Sequence, residues 1–205
     1  MFKESISKEE LAELPLRQFP GEMKLIDSAR QVKDAVDYLR QFPVVGFDTE
    51  TKPSFKKGQV HKVALLQLAT DEMAFLFRVQ QTGLPADLRR FFSDPAVLKP
   101  GVAIRDDLKA LQELQYFRPG GFIELQDYAR ELGLQHFSLK KMSALVLGFR
   151  ISKSQQLSNW EADQLTEAQM LYAATDAWVS LKIYENMFEM INNGTTVHKN
   201  NPEIG

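Results

Sequence analysis

The arrangement of apolar runs constrains this chain most, because its rhythm changes part-way along. Val44 to Asp48, Lys62 to Ala69 and Met73 to Val79 are apolar segments of strand length. They follow one another through little more than a turn around Lys57 and Gly58, a spacing that predicts an antiparallel meander. Ahead of them, Met23 to Ile26 reads as a strand. Ser28 to Gln41 reads as an amphipathic helix with Val32, Ala35, Val36 and Leu39 on one face, stopped by Pro43. Beyond them strands and helices alternate: helix Pro85 to Phe92, strand Val97 to Ile104, helix Asp107 to Leu114, short strand Phe122 to Leu125, then helices up to residue 191. Such alternation adds parallel strands through crossovers. The expected fold is α/β, a mixed sheet of roughly five to six strands flanked by helices on both faces. Residues 1–21 are expected to form an N-terminal arm, residues 22–191 one domain, and residues 192–205 a polar C-terminal tail.

Composition removes several function classes. A chain of 205 residues, 44% hydrophobic and 25% charged, buries a core without staples, and with no cysteine it has neither disulfides nor thiolate metal sites. The longest apolar stretches fall short of the roughly 20 residues of a membrane helix, so no membrane partner is expected. Met1 to Ser5 carries an acid early and leads into no apolar run, so a cytoplasmic location is expected. A net charge of -2 argues against a protein that coats many phosphates. Two acid-free windows nevertheless leave room for a local basic groove: residues 51–70, with Lys52, Lys56, Lys57 and Lys62, and residues 132–160, with Lys140, Lys141, Arg150 and Lys153. Solvated surface lysines account for such windows equally well.

The informative residues are carboxylates. Asp48 and Glu50 stand two apart on a strand, so they project to one face. Their repulsion is relieved by a hard cation with a preference for oxygen ligands, Mg²⁺ or Mn²⁺. Acids at strand ends are usually just solvated, so the pair gains meaning only from partners. One candidate is Asp176. Thr166 and Gln169 fit a capping box that starts the last helix, in which Met170, Ala174, Ala177, Leu181 and Phe188 form a buried stripe. Thr175, Lys182, Glu185 and Glu189 form the polar side. Asp176 belongs to neither; it projects with Tyr172, Val179 and Ile183, so it is either a core acid bonded to its surroundings or a metal ligand. The third acidic position is Gly101 to Asp107, a strand running into a helix. One of Asp106 and Asp107 is expected to cap that helix and the other to face the strand's C-terminal end, where ligands bind in open α/β sheets. His61, His136 and His198 are scattered and offer no metal spacing, and no nucleophile elbow or phosphate-binding glycine loop occurs. Phe55, Trp160 and Trp178 have the chemistry to stack on bases, although such residues are more often core.

Read together, Gly46-Phe47-Asp48-Thr49-Glu50, Gly101 to Asp107 and Tyr172-Ala173-Ala174-Thr175-Asp176 resemble the three exonuclease motifs of the DEDD family of 3'-5' exonucleases. Tyr172, four before Asp176, matches the tyrosine subgroup, which includes ribonuclease D and the Werner syndrome exonuclease domain; the histidine subgroup has His where this chain has Leu171. Lys62 to Leu68 and Ser158-Asn159-Trp160 also match, so the likeness spans residues 22–191.

The resemblance implies a ribonuclease H-like fold and hydrolysis of 3'-terminal phosphodiester bonds with two divalent cations, Mg²⁺ or Mn²⁺, releasing nucleoside 5'-monophosphates. It implies that Asp48 bridges the ions, that Glu50 and Asp176 hold the first, and that Asp107 supports the second while Asp106 is its neighbour or a cap. Tyr172 is then the residue that orients the attacking water. Thr49, Lys52, Lys57, Lys153 and Trp160 are expected to contact the nucleic acid. The partner is nucleic acid with a free 3' end, DNA slightly ahead of ribonuclease D-like RNA trimming, and the default state is a monomer. Ribonuclease D carries further helical domains after its nuclease, so the closer match is expected to be the Werner-type domain. Two rival readings are a nucleic-acid-binding module without turnover and a metal-dependent phosphohydrolase of small nucleotides.

Overall fold

A computed structural model describes residues 3–56 and 58–192. Lys57 lies outside the described residues, as does the expected 192–205 tail apart from Asn192, which closes the last helix. In chain order the elements are α1 (Lys8–Glu13), β1 (Glu22–Ile26), α2 (Ala29–Leu39), β2 (Gly46–Thr51), β3 (Val63–Ala69), β4 (Met73–Phe77), α3 (Val79–Thr82) and α4 (Ala86–Ser93). They continue with β5 (Lys99–Gly101), α5 (Ile104–Leu114), β6 (Phe122–Glu124), α6 (Leu125–Glu131), α7 (Leu139–Met142) with a π-helical turn at Ser143–Leu147, and α8 (Glu167–Asn192). The expected meander forms, with β2, β3 and β4 antiparallel and β1 added parallel to β4, giving the order β1-β4-β3-β2.

The α/β class holds, and the sheet is divided. Four strands share a continuous ladder, while β5 and β6 form a separate parallel pair. One parallel bridge, Val44 with Leu98, joins the two parts: the Val45 N–H donates to Leu98 O at 2.9 Å and the Leu98 N–H to Pro43 O at 2.8 Å. The strand expected over Val97 to Ile104 is therefore only three residues long. The chain breaks out of it at Ala103, which sits in the left-handed region at φ 59°, and α5 starts at Ile104 rather than at Asp107.

Strand alternation sorts side chains into two cores. Phe47, Leu66, Leu68, Phe75 and Phe77 face α2 and α4, where Val32, Val36, Leu39, Leu88, Phe91 and Phe92 are fully buried. Each such side chain stabilises the fold by about 1.5–3 kcal/mol relative to exposure. On the other face Ala64, Leu65, Ala69 and Leu76 pack under α8 through Ala173, Ala174 and Ala177. These small residues let α8 lie close to the sheet. Gly46 takes this furthest, since a Cβ there would stand 1.9 Å from Ala177 O, and alanine at 46 would push β2 and α8 apart.

The two-sided picture of α8 needs correction. Thr175, expected on a polar face, is buried; its hydroxyl donates to Leu171 O at 2.6 Å and accepts the Phe19 N–H at 3.0 Å. Phe188, expected in the buried stripe, is 44% exposed. The reason is that α8 is enclosed by two cores, the sheet on one side and a cluster with Leu125, Met142, Leu145 and Ile183 on the other, so no single apolar stripe describes it. The N-terminal arm also joins the fold. Ile6 is buried in this second cluster, and the arm pairs with Arg150 through Pro15 O and the Arg17 N–H, both at 3.0 Å.

Candidate active site

Asp48 and Glu50 share one face of β2, and the close approach allowed by Gly46 brings that face against α8. Asp176, on α8, is 7% exposed and completes a cluster: carboxylate oxygens of Asp48, Glu50 and Asp176 all lie within 4.8 Å of one another. They open onto a cavity of about 230 Å³ that Tyr172, Ser138, Lys140, Ser152, Lys153, Gln156 and Ser180 help to line. Neither the serines nor Gln156 were singled out by sequence, because nothing local distinguishes them from surface polar residues.

Electrostatics follow from this crowding. Burial, then repulsion from Asp176, Glu50 and Asp107, raises Asp48 well above the ordinary carboxyl range. Burial and repulsion from Asp176 and Asp107 push Glu50 up to about 9. Asp176 rises to about 7 through burial, opposed by a hydrogen bond from Tyr172 and by the charge of Lys153. Burial and the neighbouring carboxylates raise Tyr172 above its ordinary range, so its hydroxyl stays protonated and donates. Three carboxylates held this close with Lys153 as their facing cation are costly, and a divalent cation removes that cost. All-oxygen donors of this kind suit a hard ion, so these residues fit a metal site.

The second acidic position resolves differently from its expectation. Neither Asp106 nor Asp107 caps α5. Its first amides, the Ala103 and Ile104 N–H groups, donate to Glu124 Oε1 and Oε2, both at 2.9 Å. Glu124 comes from the end of the neighbouring β6, twenty residues on, which no local pattern in α5 announces. Asp106 turns to solvent beside Lys109, at 3.3 Å. Asp107 turns inward and accepts a 2.6 Å hydrogen bond from the Thr49 hydroxyl. Burial raises Asp107 to about 6, and the Thr49 bond opposes that rise. Asp107 stands next to the three-carboxylate cluster rather than in it.

The expected substrate contacts divide. Lys153 lines the cavity. Lys52 pairs with Glu161 at 3.3 Å, and Thr49 serves Asp107. Lys57 lies outside the described residues. Trp160 is corrected outright: it is fully buried, so it has no free face for a base, and its ring stands 6.0 Å from that of Tyr172.

A mixed α/β fold with clustered carboxylates at the seam of sheet and helix defines an α/β nuclease domain of the metal-dependent kind. The family model described as 3'-5' exonuclease matches residues 23–192, and the chain belongs to that family, which uses divalent metal ions. It is 34% identical over 185 residues to the bifunctional 3'-5' exonuclease/ATP-dependent helicase WRN of Mus musculus, covering 85% of this chain and 13% of that protein. It is 31% identical over 204 residues to a putative 3'-5' exonuclease of Acanthamoeba polyphaga mimivirus, covering 88% of this chain and 50% of that protein. The chain thus spans half or less of the length of these relatives. Among solved structures, the Nibbler EXO domain of Aedes aegypti superposes with a TM-score of 0.78 at 24% identity, over 88% of this chain and 94% of that one. No helix among the described residues is long and apolar enough to cross a membrane.

Proposed function

We propose that the protein removes nucleotides from the 3' end of a nucleic acid strand by phosphodiester hydrolysis, releasing nucleoside 5'-monophosphates. The observation that carries this is the Asp48, Glu50 and Asp176 cluster, within 4.8 Å and open to a cavity that Tyr172 lines. Those three residues, with Asp107 beside them, would hold two divalent cations, Mg²⁺ or Mn²⁺. Such ions supply the charge that activates water and stabilises the leaving oxygen. Tyr172, protonated and adjacent to Asp176, orients the attacking water through its hydroxyl. The Thr49 hydroxyl holds the Asp107 carboxylate toward the cluster. Lys153, which lines the cavity, meets the incoming phosphate. DNA is taken as the first substrate and RNA as the alternative; both present the same phosphate charge to the side chains lining the cavity.

The test is a gel assay on 5'-labelled single-stranded DNA, recessed duplex and RNA with Mg²⁺, Mn²⁺ or EDTA. A metal-dependent ladder shortening from the 3' end is expected, and Asp48→Asn should abolish it while leaving the circular dichroism spectrum intact. Full activity in Asp48→Asn overturns the assignment. Intact strands in every lane, with binding retained, leave a nucleic-acid-binding module instead.

A further inference from the structure

Beside the catalytic cavity lies a second one lined by Lys8, Lys140, Lys141, Arg150 and Lys153, together with Leu11, Ala12 and Ser138. Ser138, Lys140 and Lys153 line both cavities, so the two adjoin. Five cations share this groove and no carboxylate lines it. Among the described residues none of the five is in a salt bridge, although nine lysine or arginine ion pairs form elsewhere. Arg150 is held by Leu14 O at 3.0 Å, and Lys141 lies 3.2 Å from the His136 ring. Lys153 also faces the carboxylate cluster, but Lys8, Lys140, Lys141 and Arg150 are like charges placed together outside any ion pair, and they repel one another. A polyanion lying in the groove would relieve that repulsion.

The groove is assembled from segments far apart in sequence. Lys8 arrives on α1, which the arm's pairing with Arg150 docks here, while Lys140 and Lys141 come from α7. Resting on the nuclease reading above, we propose that this groove is the track for the phosphates of the single strand behind its 3' end. The N-terminal arm, through Lys8, forms one wall of it. Terminal nucleotides enter the carboxylate cavity, and the following phosphates run along the lysines. Recognition is by backbone charge, so the groove is indifferent to base sequence and its grip depends on salt and on strand length.

Fluorescence anisotropy in EDTA tests this without any cleavage, so its outcome is separate from that of the nuclease reading. The wild type is expected to bind a labelled fifteen-nucleotide oligothymidylate at least about ten-fold tighter than a trinucleotide, with affinity falling as salt rises. Each lost contact should lower the salt slope by about 0.7 and the affinity about five-fold in 0.1 M salt. Lys8→Glu and Lys141→Glu should each erase most of the length preference. Lys8 is exposed at the first turn of α1, where an acid favours the helix, so Lys8→Glu does not threaten folding. A melting curve matching the wild type checks this. The proposal is overturned if the wild type shows no length preference, or if both variants keep the wild-type affinity ratio and salt slope.

Discussion

Glu50→Gln isolates the cost of assembling the carboxylate cluster. Burial and repulsion from Asp176 and Asp107 raise Glu50 from an ordinary 4.5 to about 9. At pH 7 the unfolded chain has therefore released a proton that the metal-free folded chain retains. Taking that proton from solution at pH 7 costs about 3 kcal/mol. Glutamine is neutral in both states and carries no such cost. Solvent reaching the partly exposed carboxyl lessens the effect, so the variant should be more stable without metal by about 1–3 kcal/mol, which for a domain of this size is about 3–10 °C in melting temperature. The sign follows from a raised carboxyl: its full contribution to stability is present below pH 4.5 and is lost as pH rises toward 9. The advantage of glutamine should thus vanish near pH 4.5 and grow above it. In millimolar Mg²⁺ the order should reverse, because the wild type gains the ion's binding free energy while the variant lacks a ligand. Scanning calorimetry in EDTA and in Mg²⁺ across this range reads both effects. A variant no more stable than the wild type in EDTA at pH 7, or equal stabilisation of both by Mg²⁺, refutes the cluster as a charged metal site.

Other perturbations report on separate parts of the molecule. Tyr172→Phe should slow nucleotide release by about 10²–10⁴-fold at saturating strand if the hydroxyl places the water. Its raised pKa means that no alkaline limb of the rate profile should come from this tyrosine below pH 10, and an unchanged rate reduces it to packing. Lys99 is fully buried, donates to Asp94 O and Val97 O, and lies 4.9 Å and 5.4 Å from the Phe91 and Phe122 ring centres. Burial lowers it to about 8, so below that pH its charge opposes folding and stability rises between pH 8 and 10.5, by about 3 kcal/mol at most. Urea unfolding of Lys99→Met should lack that rise, and a variant that keeps it shows the lysine to be titrating normally.

Much of the site was legible because its signals are local. The one-face spacing of Asp48 and Glu50 and the capping box of Thr166 and Gln169 depend on residues a few positions apart. Asp176 was legible through a mismatch, an acid among apolar neighbours on a helix. Readings failed where a distant element intervened. Thr175 looks polar until Phe19 arrives from the arm, and Trp160 looks available for a base until it is enclosed in the core between the sheet and α8. The cap of α5 was misplaced because Glu124 supplies from another strand what Asp106 or Asp107 offers in sequence.

The sequence alone determined most of the strands and the longer helices, their antiparallel-then-parallel order, and the acids whose burial demands a compensating charge. These are consequences of periodicity and of residue chemistry, which travel with the chain in any environment. Tertiary structure alone decided that Gly46 brings β2 against α8, that Thr49 turns Asp107 inward, and that the arm delivers Lys8 to a groove beside the cavity. Each of these depends on distances between segments far apart along the chain, and no short-range pattern encodes such distances.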